Sequence, residues 1–124
     1  MRAADRAGFQ AAELEEITAR AKAAGDGYAA GVIRSELLSV GLYVLAAGGV
    51  DDQAPHAEDE VYYVVRGRGA FRVGDIDHPV KPGSVLFVPA RMRHHFHDIA
   101  EELVLVVFWA PPEGAGDEPV KEMQ

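Results

Sequence analysis

Two periodicities divide the chain. Over residues 9–24, Leu14, Ile17, Ala21 and Ala24 recur at helical spacing in a stretch rich in Ala and Glu, which predicts one helix, with Gly25 as its stop. Beyond it the period shortens to two. Residues 36–46 set Leu38, Val40, Leu42 and Val44 on one face of a strand. Residues 61–66 and 70–73 read as two more strands, joined by a hairpin at Gly67-Arg68-Gly69. Lys81-Pro82-Gly83-Ser84 has the residues of a type II turn. Strands at 85–88 and 93–98 follow, and residues 103–109 are apolar on both faces, as befits a strand in a closed barrel or a packed second sheet. The pattern predicts an all-β domain of seven or eight short strands behind one helix.

Composition narrows the function. The chain has 124 residues, so a single domain is expected. Twelve Lys and Arg against 20 Asp and Glu give a net charge of -8. That sign is wrong for tracking nucleic-acid phosphates or for docking on an anionic membrane. The absence of Cys excludes disulfides and thiolate chemistry. Residues 1–6 lack the apolar run of a secretory leader, and the longest apolar run, 103–110, is too short to span a bilayer, so a cytoplasmic protein is expected. Residues 1–30 form the expected helical extension, 31–111 the barrel, and 112–124, rich in Pro, Gly and charge, a flexible tail.

Four of the five His fall in two polar clusters that interrupt the strands, Pro55-His56-Ala57-Glu58-Asp59-Glu60 and Arg93-His94-His95-Phe96-His97-Asp98. Strand parity puts Glu60, Tyr62 and Val64 on one face and His94 with Phe96 on another. If those faces line the interior, Glu60 is a carboxylate out of water, costly unless it is paired or holds a cation. His56, four residues upstream, can reach it. Two imidazoles and a carboxylate make a metal site of mixed nitrogen and oxygen character. Tyr62 is either a core aromatic or a hydroxyl that orients a substrate or donates a proton. Phe96 is expected in the pocket wall. His95 and His97 have the opposite parity and should face outward, His78 lies in a turn, and Arg34 and Arg72 are expected at the surface.

The arrangement resembles the cupin superfamily. Its first motif is matched by His56, three residues, Glu60, six residues and Gly67. Its second is matched by Gly83, five residues, Pro89-Ala90-Arg91, two residues, His94, three residues and Asp98. Three positions depart from the family pattern: Ala54 replaces the first His, Arg91 a Gly and Asp98 an Asn. The resemblance implies a double-stranded β-helix (jelly-roll) barrel. It also implies a divalent metal on His56, Glu60 and His94, with Fe(II) favoured and Mn, Ni or Zn as alternatives, and a homodimer. The implied activity is metal-dependent catalysis, dioxygenase-like or isomerase-like, on a small organic molecule. Two other readings stay open: a non-catalytic module that binds a metal or metabolite as sensor or carrier, and a barrel without metal. Gln53 or Asp52 could substitute only weakly for the missing His.

Overall fold

The computed structural model describes residues 8–51 and 53–115. Helix α1 (Leu14–Ala23) precedes six strands, β1 (Tyr28–Arg34), β2 (Ser39–Leu45), β3 (Asp59–Val73), β4 (Ile76–Val80), β5 (Val85–Val88) and β6 (His94–Ala110). All pairings are antiparallel in the order β1-β2-β6-β3-β4, with β5 also on β3. The expected all-β body with a leading helix is therefore present. No helix among the described residues is long and apolar enough to cross a membrane.

The strand count differs from expectation because two pairs of expected strands are continuous. Gly67-Arg68-Gly69 is not a hairpin. It lies inside β3, where the pairing with β6 shifts register three times between Val64 and Ala70. Opposite it, Arg68 pairs with Glu101 and Ala70 with His97, so β6 carries two extra residues there. Bulges of this kind bend and twist a strand. Gly67 takes φ +100°, and a Cβ there would run into the Glu102 carbonyl. On β6 the bend falls at Asp98, φ +47°; Asp shares with Asn an unusual tolerance of the left-handed region, so this departure from the family pattern is mild in backbone terms.

Each long strand thereby serves two partners. β5 pairs the first half of β3 and β4 the second, while β6 runs along both halves. The sheet rolls round one core, to which Tyr43 (β2), Val64 and Phe71 (β3), Val80 (β4), Leu86 (β5) and Leu105 (β6) all contribute. Helix α1 covers the outside of β1, β2 and β6, burying Ile17 and Ala21 against Val32, Val40, Leu42 and Val104. That explains the two apolar faces of residues 103–109: Leu103, Leu105, Val107 and Trp109 point inward, and Val104 points under the helix.

Other boundaries also moved. The helix starts at Leu14 rather than at 9, because Gln10 is recruited to the edge strand; its side chain donates to the Arg34 carbonyl (2.7 Å) and accepts from the Arg34 N–H (2.9 Å). Gly25 is not the cap; Ala24 is, in an extended conformation. Strand β1 escaped the reading and begins at Tyr28, before residue 31. The type II turn forms as expected, with Gly83 at φ +96° and the Ser84 N–H donating to the Lys81 carbonyl (2.9 Å). Of the tail, residues 116–124 lie outside the described residues. Its first part is held to the body: the Glu113 N–H donates to Ser39 Oγ (2.9 Å) and the Gly114 N–H to the carboxylate of the buried Glu58 (2.9 Å).

Candidate metal centre

Alternation along β3 sends Glu60, Tyr62 and Val64 inward, all essentially fully buried. The same rule buries His94 and Phe96 at the start of β6. Glu60 sits where β3 pairs with both neighbours, opposite Val88 and Trp109. His56 lies in the loop that enters β3, its ring packed edge-on against Trp109 at 4.5 Å between centroids. Two hydrogen bonds from the turn at Pro89-Ala90-Arg91-Met92 tie the histidine clusters together. The Arg91 N–H donates to the His56 carbonyl (2.6 Å), and the Ala90 N–H to Asp59 Oδ1 (2.8 Å). Arg91 takes φ +67° despite its side chain, a conformation that costs a non-glycine residue roughly 1–2 kcal/mol. The left-handed conformation falls at the position where the motif has Gly.

One ligand atom each from His56, Glu60 and His94 lie within 4.8 Å of one another. Metal–ligand bonds of about 2.0–2.2 Å place two donors on one ion at most about 4.3 Å apart, so only a small closure is needed. His94 Nε2 is 3.2 Å from Glu60 Oε2. His94 Nδ1 lies 2.8 Å from the Met92 carbonyl. A carbonyl only accepts, so Nδ1 carries a proton and Nε2 is left to face the cluster. Burial pulls the His94 pKa down. The hydrogen bonds to Glu60 and Met92 and the charges of Glu60 and Asp51 outweigh it and leave it above the ordinary 6.5. A metal would therefore compete with a proton at this nitrogen.

Glu60 Oε1 tests whether a cation fits. It is buried and has no hydrogen-bond partner among the described residues. An uncompensated carboxylate oxygen in a dry core is destabilising, and a divalent ion between the two imidazoles would satisfy it. The donor set, two imidazole nitrogens and one carboxylate oxygen, is that of open first-row metal sites.

The neighbouring polar groups converge on the same point. The Tyr62 hydroxyl is 3.2 Å from His94 Nε2. Burial, then the Glu60 carboxylate, holds that hydroxyl well above the ordinary tyrosine range, so it keeps its proton. Gln53 Oε1 lies 3.3 Å from the hydroxyls of Tyr43 and Tyr62 and 3.4 Å from His56 Nε2. The Gln53 amide donates to both oxygens of Asp51 (2.9 and 3.0 Å), and Asp51 in turn accepts the Phe96 N–H (2.8 Å). Asp51 had drawn no attention in the sequence, and Gln53 only as a weak substitute. Both lie in a loop, where strand parity gives no guidance. Asp52 is outside the described residues, and Ala54 is exposed.

His95 and His97 lie outside the cluster, as parity predicts, but His95 lines the cavity that reaches His94. His97 binds Asp77 (2.8 Å) and Asp98 (3.1 Å) at the surface, and its pKa is raised first by the Asp77 hydrogen bond. His78 is exposed, but it lies within β4, paired with Phe71, rather than in a turn, and Arg72 pairs with Asp77 (3.0 Å). A cavity of about 420 Å³ reaches His94; its walls include Asp51, Gln53, Arg72, Arg93 and His95. A hollow of about 500 Å³ beside the end of α1, near Lys22 and Asp26, contains none of the cluster.

A family model described as "Cupin domain" matches residues 41–111. An uncharacterised protein, SCO3923, of Streptomyces coelicolor is 48% identical over 105 residues, covering 85% of this chain and 99% of that one. Among solved structures, TT1209 from Thermus thermophilus is similar, with a TM-score of 0.68 and 26% identity over 84% of this chain and 99% of that one. An RmlC-like cupin family protein with a double-stranded β-helix fold from Methanocaldococcus jannaschii superposes with a TM-score of 0.61 and 18% identity, covering 77% of this chain and 84% of that one.

Proposed function

The chain belongs to the cupin superfamily and has its double-stranded β-helix fold, and from that premise we propose that it is a small metal-dependent enzyme acting on a small organic molecule. The observation that carries this reading is the unpartnered oxygen of Glu60 beside the imidazoles of His56 and His94. These three residues hold a divalent ion, with Fe(II) favoured and Mn, Ni or Zn able to replace it. When bound, the ion supplies Lewis-acid polarisation of a substrate oxygen or, as Fe(II), chemistry with O2.

The chain supplies the rest. His94 is aligned by the Met92 carbonyl so that Nε2 faces inward. Tyr62, beside His94 and with its proton retained, is the group that donates a hydrogen bond or a proton to a substrate oxygen. Phe71 and Phe96, packed against Tyr62, keep that side of the site dry. Substrate enters through the cavity that reaches His94. A proton or hydrogen-bond donor held at this point would serve dioxygenase-like and isomerase-like reactions, the two classes proposed. The setting is the cytoplasm.

Anaerobic reconstitution with Fe(II), elemental analysis and oxygen uptake over a substrate panel test the proposal. We expect one equivalent of metal per parent chain, and clearly less in His56→Ala and His94→Ala, each of which removes a donor to the ion itself. Equal metal content in all three proteins sinks the site. Stoichiometric metal without turnover of any substrate would instead favour the non-catalytic binding module.

The protein also acts as a homodimer in this proposal. Helix α1 covers only part of the outer face of the rolled sheet. Beyond it, on that same face, Phe87, Val61 and Phe108 form a cross-strand row, with Phe87 61% and Phe108 42% exposed, and Val85 lies beside Tyr63. Such an apolar patch favours a partner. In size-exclusion chromatography with light scattering, the parent should run as a dimer and Phe87→Glu as a monomer. A parent that is monomeric at concentrations on the order of tens of micromolar, a range in which weak but specific pairs still form, would refute it.

A further inference from the structure

Where the family places a histidine, this chain has Ala54, whose side chain has no donor atom and which is exposed to solvent. The residue before it takes the inward place. We propose that the Gln53 side-chain oxygen is a fourth ligand of the metal held by His56, Glu60 and His94, and that Asp51 is the positioning residue that aims it. The inference rests on the metal site proposed above.

Three observations support the assignment. First, Gln53 Oε1 points into the cluster: His56 Nε2 lies 3.4 Å away and the Tyr62 hydroxyl 3.3 Å away. Together with Tyr43, these put three polar groups at 3.3–3.4 Å around one oxygen, all at the long end for hydrogen bonds. An oxygen held in loose contacts can turn to a cation at little cost.

Second, the orientation of the amide is settled by its other end. Gln53 Nε2 donates to both carboxylate oxygens of Asp51, at 2.9 and 3.0 Å. A carboxylate cannot donate back, so the NH2 group must face Asp51 and the carbonyl oxygen must face the centre. Asp51 itself is buried, and the Phe96 N–H holds it at 2.8 Å. The chain of contacts runs from the β6 backbone through a carboxylate to an amide whose free end is an oxygen donor. Metal-binding imidazoles are commonly fixed by a carboxylate in the same way; here an amide stands in the imidazole's place.

Third, the charge suits the site. Glu60 already contributes one negative charge and leaves Oε1 unpartnered. A neutral amide oxygen adds a donor without adding like charge beside that carboxylate. The more distant Asp51 polarises the amide and strengthens its oxygen as a ligand.

The experiment measures Co(II) affinity by chelator competition for the parent, Gln53→Leu, His94→Ala and the double variant Asp51→Asn with Gln53→Glu. Far-UV circular dichroism and the metal-free unfolding midpoint are recorded for each. Leu keeps the bulk of Gln53 and removes its oxygen. The double variant exchanges acid and amide across the pair, keeps the net charge, and leaves a carboxylate oxygen aimed at the centre. We expect Gln53→Leu to weaken Co(II) binding by about tenfold or more, with the circular dichroism of the parent, and the double variant to recover it to within about threefold. Parental affinity in Gln53→Leu overturns the assignment, and so does a loss that the double variant fails to recover. If the parent binds no Co(II), or His94→Ala binds as the parent does, the metal site itself falls. If only Gln53→Leu is silent, the three-residue site stands and the fourth ligand falls.

Discussion

Glu60→Gln is expected to weaken divalent-metal binding by roughly 100-fold, the upper end of what changes around a metal centre cost, and, in alkaline solution where His94 has lost its proton, to leave the metal-free protein at least as stable as the parent. The two effects share one cause. Glu60 is almost wholly buried, and one of its oxygens has no partner. Its contact with His94 at 3.2 Å offsets only part of the cost of keeping a charge out of water. Glutamine keeps the shape and gives up the charge. Under mildly alkaline conditions the metal-free variant should gain about 1 kcal/mol, or roughly 3–5 °C in Tm. Chemical denaturation without and with Co(II) measures both effects. A variant that binds metal as tightly as the parent, or that unfolds more readily without metal, would contradict the role given to Glu60.

The second large effect concerns the backbone. Gly67→Ala should cost about 3 kcal/mol or more, lowering Tm by about 10 °C. At φ +100° the residue lies where an L side chain is strained, and the new Cβ would meet the Glu102 carbonyl and sit 2.7 Å from Leu103 Cα. Both neighbours are backbone of β6 and cannot move aside without disturbing the bulge that bends the two long strands. Gly83→Ala is the internal control. Its φ is +96°, but nothing lies within 4 Å of the added Cβ, so its cost should stay near about 1 kcal/mol. Equal losses at the two positions would mean that close approach to β6 is not what requires glycine at 67.

These two residues also mark how far the chain could be read from its residues. Parity found the inward faces of β3 and β6, because a strand buried on one side has no freedom to misplace alternate residues. Glu60, Tyr62, His94 and Phe96 all lie where alternation puts them. The same logic could not distinguish a hairpin from a bulge at Gly67-Arg68-Gly69, since both use the conformational freedom of glycine. Strand β1 was missed because Ala29, Ala30 and Gly31 carry little β-preference. It forms because Ala29 and Val32 are buried beneath α1. Asp51 and Gln53 were unreadable for a related reason. They act from a loop, through hydrogen bonds to Phe96 and Tyr62, which lie 45 and 9 positions further along the chain.

The antiparallel pairing of the two long strands has a further consequence. Glu60 lies near the beginning of β3, opposite the far end of β6, whereas His94 opens β6, opposite the far end of β3. The groups that face one another across the core are thus attached to opposite ends of the same ladder. A cation caught between them staples the rolled sheet to itself. Its escape would then be governed by how often the roll loosens rather than by bond strength alone, and a loaded chain would resist amide exchange along β6 for as long as the ion stayed.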